Sequence, residues 1–540
     1  MKRKLSLIIA LILALALALT ACGNLVGIKV QGVQDTDYIV LSNGGSAVQY
    51  GNYIYFINGY NGYDDVEATS NVFNKVEKGG LYRAELVGRP VERTFDLASG
   101  FVTKKTFEPL RDAKTKFAFK TTTNWILTGY EKDEDGQWLK DEKDNYVEIR
   151  EPVEYADVQK IGPKKIGTVG NPEGGIFVFD DYVFYASPNN TKDRNGKVQT
   201  HKTDFFRAKL DGSKTERIYT TEDTATSSPY MFYKYSGAYY LVVQEGDKVV
   251  SVKMDRKIAK PVTIGEGVSS VLFPNKGTYY KGMPENTADD FIYILRKPVR
   301  TDEYSDTTMI GNVLEARRPD GSHAQVIAGA GKTSLILGVH NGIFFYRIDN
   351  SIHYTNLDRL VNHIADDANY DDANYILGNF NFNASDYDSV RCVSPNPKNP
   401  EDVYIIGVKS DGMYLTDRVG SERRLYNMDS TIVAIDGAYL YFTSGVIEGG
   451  ATVNKLLRLN MFVPTAEVEQ ILATDGTDRT ATFKFDILTD FVMYFADIDN
   501  EAKSYAHFKE LSDMSAEGLF VGYRISADTI PEESLYPQED

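Results

Sequence analysis

The sequence predicts an all-β protein, a β-propeller of about eight blades with seven as the alternative, and three observations carry that prediction. The 540 residues include 36 Tyr and 27 Phe beside 44 Gly, while long Ala/Leu/Glu/Lys runs are missing beyond the N-terminus, a balance that favours strands. One short segment recurs eight times in the same form: a turn residue, alternating aromatic and aliphatic residues, then another turn. Most of the intervals between copies fall near, and a little above, the length of a four-stranded blade with its loops, for which repeats run roughly 40 to 50 residues.

In chain order the copies are NYIYFING from Asn52, DYVFYAS from Asp181, AYYLVVQ from Ala238, DFIYILR from Asp290, GIFFYRI from Gly342, DVYIIGV from Asp402, AYLYFTS from Ala438 and DFVMYFA from Asp490. Counted from the residue after the turn, the spacings are 129, 57, 52, 52, 60, 36 and 52. Each copy reads as the inner-strand mark of a blade. A second half of the unit follows some copies: LYRAELVGRPVER from Leu81, FFRAKLDGSKTERIY from Phe205, VLEARRPDGSHAQVI from Val313 and LLRLNM from Leu456. It predicts a strand, a tight turn in which Asp and Gly supply the backbone angles, and an outer strand. Ring closure would set the strand around Ala47 to Phe56 beside GLFVGYRI from Gly518, removing an open edge.

The 129-residue interval contains KFAFKTTTNWILTGY and EKDEDGQWLKDEKDNYVEI, which read as hairpins around a charged turn. A decorating insertion near 100–170 is the preferred account and a divergent blade the alternative. The propeller then spans 37–530, and the polar, Pro-containing tail is 531–540.

The N-terminus carries an address. MKRKLSLIIALILALALALTACGN places three cations before an apolar run from Leu5 to Leu19, followed by small residues and Cys22. That layout is an export signal. On that reading residues 1–21 are the leader, and 22–36 begin with Cys22 and form a tether. The alternatives are an ordinary secretory leader or an uncleaved helix, since Leu5 to Ala21 is 17 residues, the bottom of the roughly 17 to 25 needed to cross a bilayer.

Leu19, Thr20, Ala21 and Cys22 resemble the lipobox of bacterial lipoproteins. That resemblance implies cleavage before Cys22, a diacylglycerol on its thiol, and a body held at the extracytoplasmic face of a membrane. Several acyl chains at roughly 0.8 kcal/mol per buried methylene make such attachment effectively permanent. FFRAKLDGSKTERIY resembles the strand and turn of YWTD-type, low-density-lipoprotein-receptor-like propellers, and YFTS at Tyr441 and FYAS at Phe184 resemble degenerate forms of the YWTD signature. Propeller lipoproteins of Gram-positive bacteria combine a lipobox with such repeats.

Charge and motif content narrow the function classes. The net charge of −17 disfavours nucleic acid, whose binding needs a basic patch. Two cysteines, Cys22 and Cys392, permit no disulfide framework once Cys22 is acylated, and Cys392 reads as a buried thiol inside a strand. AGAGKTS, Ala328 to Ser334, has Val326 where a phosphate loop needs its first Gly, and reads as an inter-blade turn. The histidines, His201, His323, His340, His353, His363 and His507, form no zinc-ligand spacing.

Glu131, Asp133, Asp135, Gly136 and Glu142 occupy positions 1, 3, 5, 6 and 12 of a calcium-loop pattern. Its carboxylates would wrap a hard cation while Gly makes the sharp turn; a charged hairpin turn is the competing reading. ADDANYDDANY, Ala365 to Tyr375, reads as a solvated loop. The Tyr pairs Tyr239–Tyr240 and Tyr279–Tyr280 offer a stacking platform for sugar or protein, against the simpler reading of strand residues packed between blades.

No catalytic residues and no required cofactor emerge. The function expected is a non-enzymatic, membrane-anchored propeller that binds a protein or glycan partner. The alternative is an extracellular hydrolase or lyase working on polysaccharide through carboxylates that meet at the ring centre.

Overall fold

A computed structural model describes residues 37–520, apart from 59–78, 98–99, 111–118, 163–174, 190, 192–193, 197–198, 200–201, 222–228, 256–259, 275–276, 286–287, 297–298, 301–308, 311–312, 323–324, 329–332, 357–377, 397–398, 400, 474–483, 489–490, 496–505 and 512–518. The leader, Cys22, the tether, ADDANYDDANY and the tail therefore lie outside the described residues. Among the described residues, no helix is long and apolar enough to cross a membrane.

The architecture is an all-β propeller. Among the described residues, seven four-stranded antiparallel sheets follow one another along the chain, preceded by one six-stranded sheet in the order Gly277–Tyr279, Val40–Asn43, Ala47–Tyr50, Tyr53–Asn58, Gly80–Glu85, Val158–Ile161. Regular sheets alone number seven, and the enlarged sheet carries the remaining copy of the repeat. Helical structure among the described residues amounts to two three-residue 3-10 turns, Ala288–Asp290 and Ala384–Asp386.

In the seven four-stranded sheets the repeated aromatic segment forms the second strand, as Tyr182–Pro188 does between Ile176–Phe179 and Thr203–Lys209, and Tyr53–Asn58 is likewise an interior strand, between Ala47–Tyr50 and Gly80–Glu85. This corrects their reading as inner strands. A second strand is paired on both edges and covered on both faces, so apolar residues run on without alternation; Ile54, Tyr55, Phe56 and Ile57 are all fully buried. Tight turns join first to second strands. Asp180, Ser236 and Asn341 each hold a positive φ there, the left-handed geometry that lets a two-residue hairpin follow the twist of its strands.

The core runs from sheet to sheet. Phe291, Tyr293 and Leu295 of the fourth sheet pack on Phe344 and Tyr346 of the fifth, and Ile343 and Phe345 of the fifth on Val403 and Ile405 of the sixth. Val408 and Leu415 of the sixth meet Leu440 and Phe442 of the seventh. From the seventh sheet, the Ile471 carbonyl accepts a hydrogen bond from Lys509 of the eighth, and Met493 and Phe508 of the eighth pack against Ile54 and Phe56 of the first. The ring closes by this side-chain packing. Leu519–Phe520 pairs instead with His507 and Phe508 as the outer strand of its own sheet, which corrects the expected pairing beside Ala47–Phe56.

The YRAE and FRAK segments contribute a repeated stitch between blades. Arg83 donates to the Leu210 carbonyl of the second sheet at 3.1 Å, and Arg207 donates to the Met254 carbonyl of the third at 3.0 Å. The DG turns form as expected in FFRAKLDGSKTERIY: Asp211 accepts from the Ser213 amide at 2.9 Å, and Thr203–Lys209 leads into Thr215–Thr220. In LYRAELVGRPVER the expectation fails. No Asp-Gly follows the strand, and Gly88–Leu97 departs to pair with Gly100–Pro109. A second hairpin, Thr121–Tyr130 with Glu148–Ala156, precedes the strand Val158–Ile161 that completes the first sheet.

Candidate functional site

The entry strand Val40–Asn43 lies next to Ala47–Tyr50 in the first sheet. Its far side pairs with Gly277–Tyr279, a strand set in the long connection between the first two strands of the fourth sheet. Backbone hydrogen bonds from Gly44 to the Ile176 carbonyl, 2.7 Å, and from Ile176 to the Gly45 carbonyl, 2.8 Å, tie this entry to the second sheet. The approach is close enough that a Cβ on Gly175, which has φ +73°, would stand 1.9 Å from the Gly44 carbonyl oxygen.

A cavity of about 270 Å³ opens where these pieces meet the second and third sheets. Phe177, Phe179, Phe232, Tyr233 and Tyr279 supply aromatic walls, Met231 and Met283 apolar ones, and Lys234, Glu285, Asp289 and Asp290 the charges.

At its edge four side chains lock together. Asp180, in the turn after Ile176–Phe179, accepts hydrogen bonds from Lys234 Nζ at 2.6 Å, Tyr239 at 2.7 Å and Tyr279 at 2.9 Å. Lys234 Nζ also donates to the Tyr279 hydroxyl at 2.9 Å. Burial pushes the Asp180 carboxyl up, but the hydrogen bonds from Lys234 and Tyr239, the Lys234 charge and the Tyr279 hydrogen bond outweigh it and hold the group below the ordinary carboxylate range. Burial, then the adjacent Asp180 charge, raises the phenols of Tyr239 and Tyr279, which keeps both protonated as donors. The result is a rigid ionised knot rather than a poised acid or base.

Two of the Tyr pairs noted in the sequence thus converge: Tyr239 and Tyr279 share one carboxylate. Sequence reasoning missed Asp180 and Lys234, which lie 54 residues apart. The DD turn after IFVF was the available sign.

The candidate calcium residues lie in the second hairpin, remote in sequence from the cavity. Glu131, Asp133, Asp135 and Glu142 are exposed. Asp133 accepts from the amides of Asp135 and Gln137 at 3.0 and 2.8 Å, so its carboxylate caps a tight turn. The same turn recurs eight residues on, where Asp141 accepts from Lys143 and Asn145 at 2.8 and 2.9 Å. In each, a lysine sits over an aromatic ring, Lys132 over Trp138 and Lys140 over Tyr146. Among the described residues, no three His, Cys, Asp or Glu side chains stand together as a metal would need.

Cys392 lies in the strand Ser389–Val393. Burial pushes its thiol up to about 12 against a lesser pull from Arg391, which makes it a poor nucleophile. Residues 329–332 of AGAGKTS lie outside the described residues, and its last two residues begin the strand Thr333–His340, where a phosphate loop would need a helix.

No family model matches the chain. No curated protein matches it either. Solved structures do. The chain is similar over 89% of its length to the tricorn protease, at 11% identity and TM-score 0.31, and spans 43% of that protein. It is similar over 70% to apo AztD from Citrobacter koseri, covering 92% of that chain at 10% identity and TM-score 0.36. It is likewise similar over 70% to the β-propeller domain of the Trilobed protease from Pyrococcus furiosus, covering 90% of it at 10% identity and TM-score 0.27. Likeness this distant carries no argument about function, and the architecture rests on the sheets themselves.

Proposed function

We propose that this chain is an extracytoplasmic lipoprotein, anchored through a lipid on Cys22, whose YWTD-like propeller holds a protein or glycan partner at the face bearing the cavity. The observation that carries the binding reading is the knot around Asp180. Both carboxylate oxygens are engaged by Lys234, Tyr239 and Tyr279, and its pKa is lowered rather than raised as a general acid needs. The aromatic walls beside it give a fixed recognition surface, because two-torsion side chains lose little entropy on contact.

The test is capture from native membranes with the full-length protein, run alongside a glycan array. Stable complex formation without turnover is expected; hydrolysis or elimination of a polysaccharide without a stable complex would favour the lyase or hydrolase reading instead. For the anchor, Cys22→Ala releases the protein from the membrane fraction and abolishes lipid labelling. Unchanged retention with an unlabelled wild type would refute it.

A further inference from the structure

We infer that the hairpin of Gly88–Leu97 and Gly100–Pro109 rests on a lipid bilayer, with its exposed Phe101 set among the headgroups. This rests on the anchor at Cys22 proposed above and assigns the part of the body that meets the membrane.

The route of the chain gives the direction. Asp37 to Ile39 runs beside Gly100–Pro109: the Lys105 amide donates to the Asp37 carbonyl at 3.3 Å, and the Ile39 amide donates to the Lys105 carbonyl at 2.9 Å. Tyr38 and Lys105 thereby form a parallel bridge. Gly100–Pro109 leads away from the closed end of the hairpin, where Leu97 pairs with Gly100, so a parallel neighbour comes from that end too. Asp37 is therefore on the side of the bridge nearer to Phe101. Cys22 precedes Asp37 by 15 residues, which span at most about 50 Å when fully extended. A lipid on Cys22 holds Asp37 within that distance of the bilayer, and the direction of Asp37 to Ile39 favours turning the closed end of the hairpin towards it.

The hairpin has two unlike faces. Phe95, Leu97 and Val102 pack against Ile39, Leu41 and Tyr280, and Lys104 Nζ lies 4.8 Å from the centre of the Tyr280 ring, so one face fixes the hairpin to the body. Phe101 is next to Val102 in the strand and belongs to the other face, paired with Asp96, and it is 67% exposed. One exposed ring is ordinary on a protein surface. This ring stands beside the point at which the tether arrives, and at a bilayer an amphipathic surface buries its aromatic side at headgroup level.

Charge agrees with that orientation. Residues 88–109 hold four cations, Arg89, Arg93, Lys104 and Lys105, against three carboxylates, Glu92, Asp96 and Glu108, a balance of +1 in a chain of −17. An anionic lipid surface repels the rest of the body, so the approach that leads with the hairpin is favoured.

Depth quenching on the full-length protein tests the contact. Dansylalanine replaces Phe101, and in a second protein Ile447, which is 77% exposed on the seventh sheet. Each protein is reconstituted into vesicles of three parts phosphatidylcholine to one part phosphatidylglycerol, with and without a spin label on the acyl chain near the headgroup. The spin label lowers emission at position 101 at least twofold and leaves position 447 unchanged. Equal quenching at the two positions, or none at 101 in lipidated protein that floats with the vesicles, overturns this inference and leaves the anchor standing. Quenching at 101 in protein that carries no lipid on Cys22 overturns the anchor alone, and absence of both lipid and quenching overturns both.

Discussion

Phe56 of the first sheet meets Phe508 of the eighth with ring centroids 5.3 Å apart and planes 84° to each other, an edge-to-face contact across the seam where the two ends of the propeller join. Phe508 also meets Phe119 edge-on at 5.4 Å, so one ring braces the seam and the base of the inserted hairpins. Both partners are fully buried and Phe508 is 2% exposed.

Phe508→Ala therefore opens the seam. Loss of a buried Phe costs roughly 3–5 kcal/mol, the transfer term plus the cavity left behind. Limited proteolysis should cut within the eighth sheet first, with the second to fourth sheets resistant. Uniform loss of resistance across the chain, or a denaturation midpoint equal to wild type, would contradict closure through this contact.

Tyr185 tests the opposite sign. It is fully buried in the second strand of the second sheet, its hydroxyl has no partner, and burial alone raises its phenol. Tyr185→Phe removes a polar atom that folding leaves unsatisfied, so the variant should gain about 1 kcal/mol. A loss of that size in urea denaturation would show that the hydroxyl makes a bond in solution.

His340 supplies a pH signature. Burial lowers its pKa, and the opposing hydrogen bond with the Ser394 backbone, 3.0 Å to the carbonyl, is the smaller effect. The folded protein keeps the ring neutral where an unfolded chain, titrating near about 6.5, takes a proton. Its contribution is whole above that value and is lost as pH falls through it towards the folded value. Between pH 7.5 and 5.5 the wild type should lose more stability than His340→Gln. Equal losses would remove His340 from the acid response.

How much of this was legible follows from where each residue sits. Tyr182–Pro188 and its counterparts stood out because a strand covered on both faces must be apolar throughout, and that pattern survives in sequence without any partner in view. DG turns were legible for a local reason, since Asp211 bonds the amide two residues on. The cavity was not. Asp180 and Tyr279 are 99 residues apart and meet through a tertiary arrangement, in which the long connection of the fourth sheet reaches back to Val40–Asn43. Nothing local marks Gly277–Tyr279 as a strand of the first sheet. Closure was misjudged for a related reason: GLFVGYRI has strand character, but strand character does not say which edge it joins.

The central claim is that the cavity face holds the partner, and photo-crosslinking in intact membranes tests it most directly. A benzophenone side chain is placed at Met283, on the cavity wall, and in a second protein at Val463, an exposed residue in the connection between Ala451–Asn460 and Glu469–Ala473 of the seventh sheet. The account predicts one discrete adduct from position 283 and none from 463. An adduct from 463 with none from 283 would contradict it.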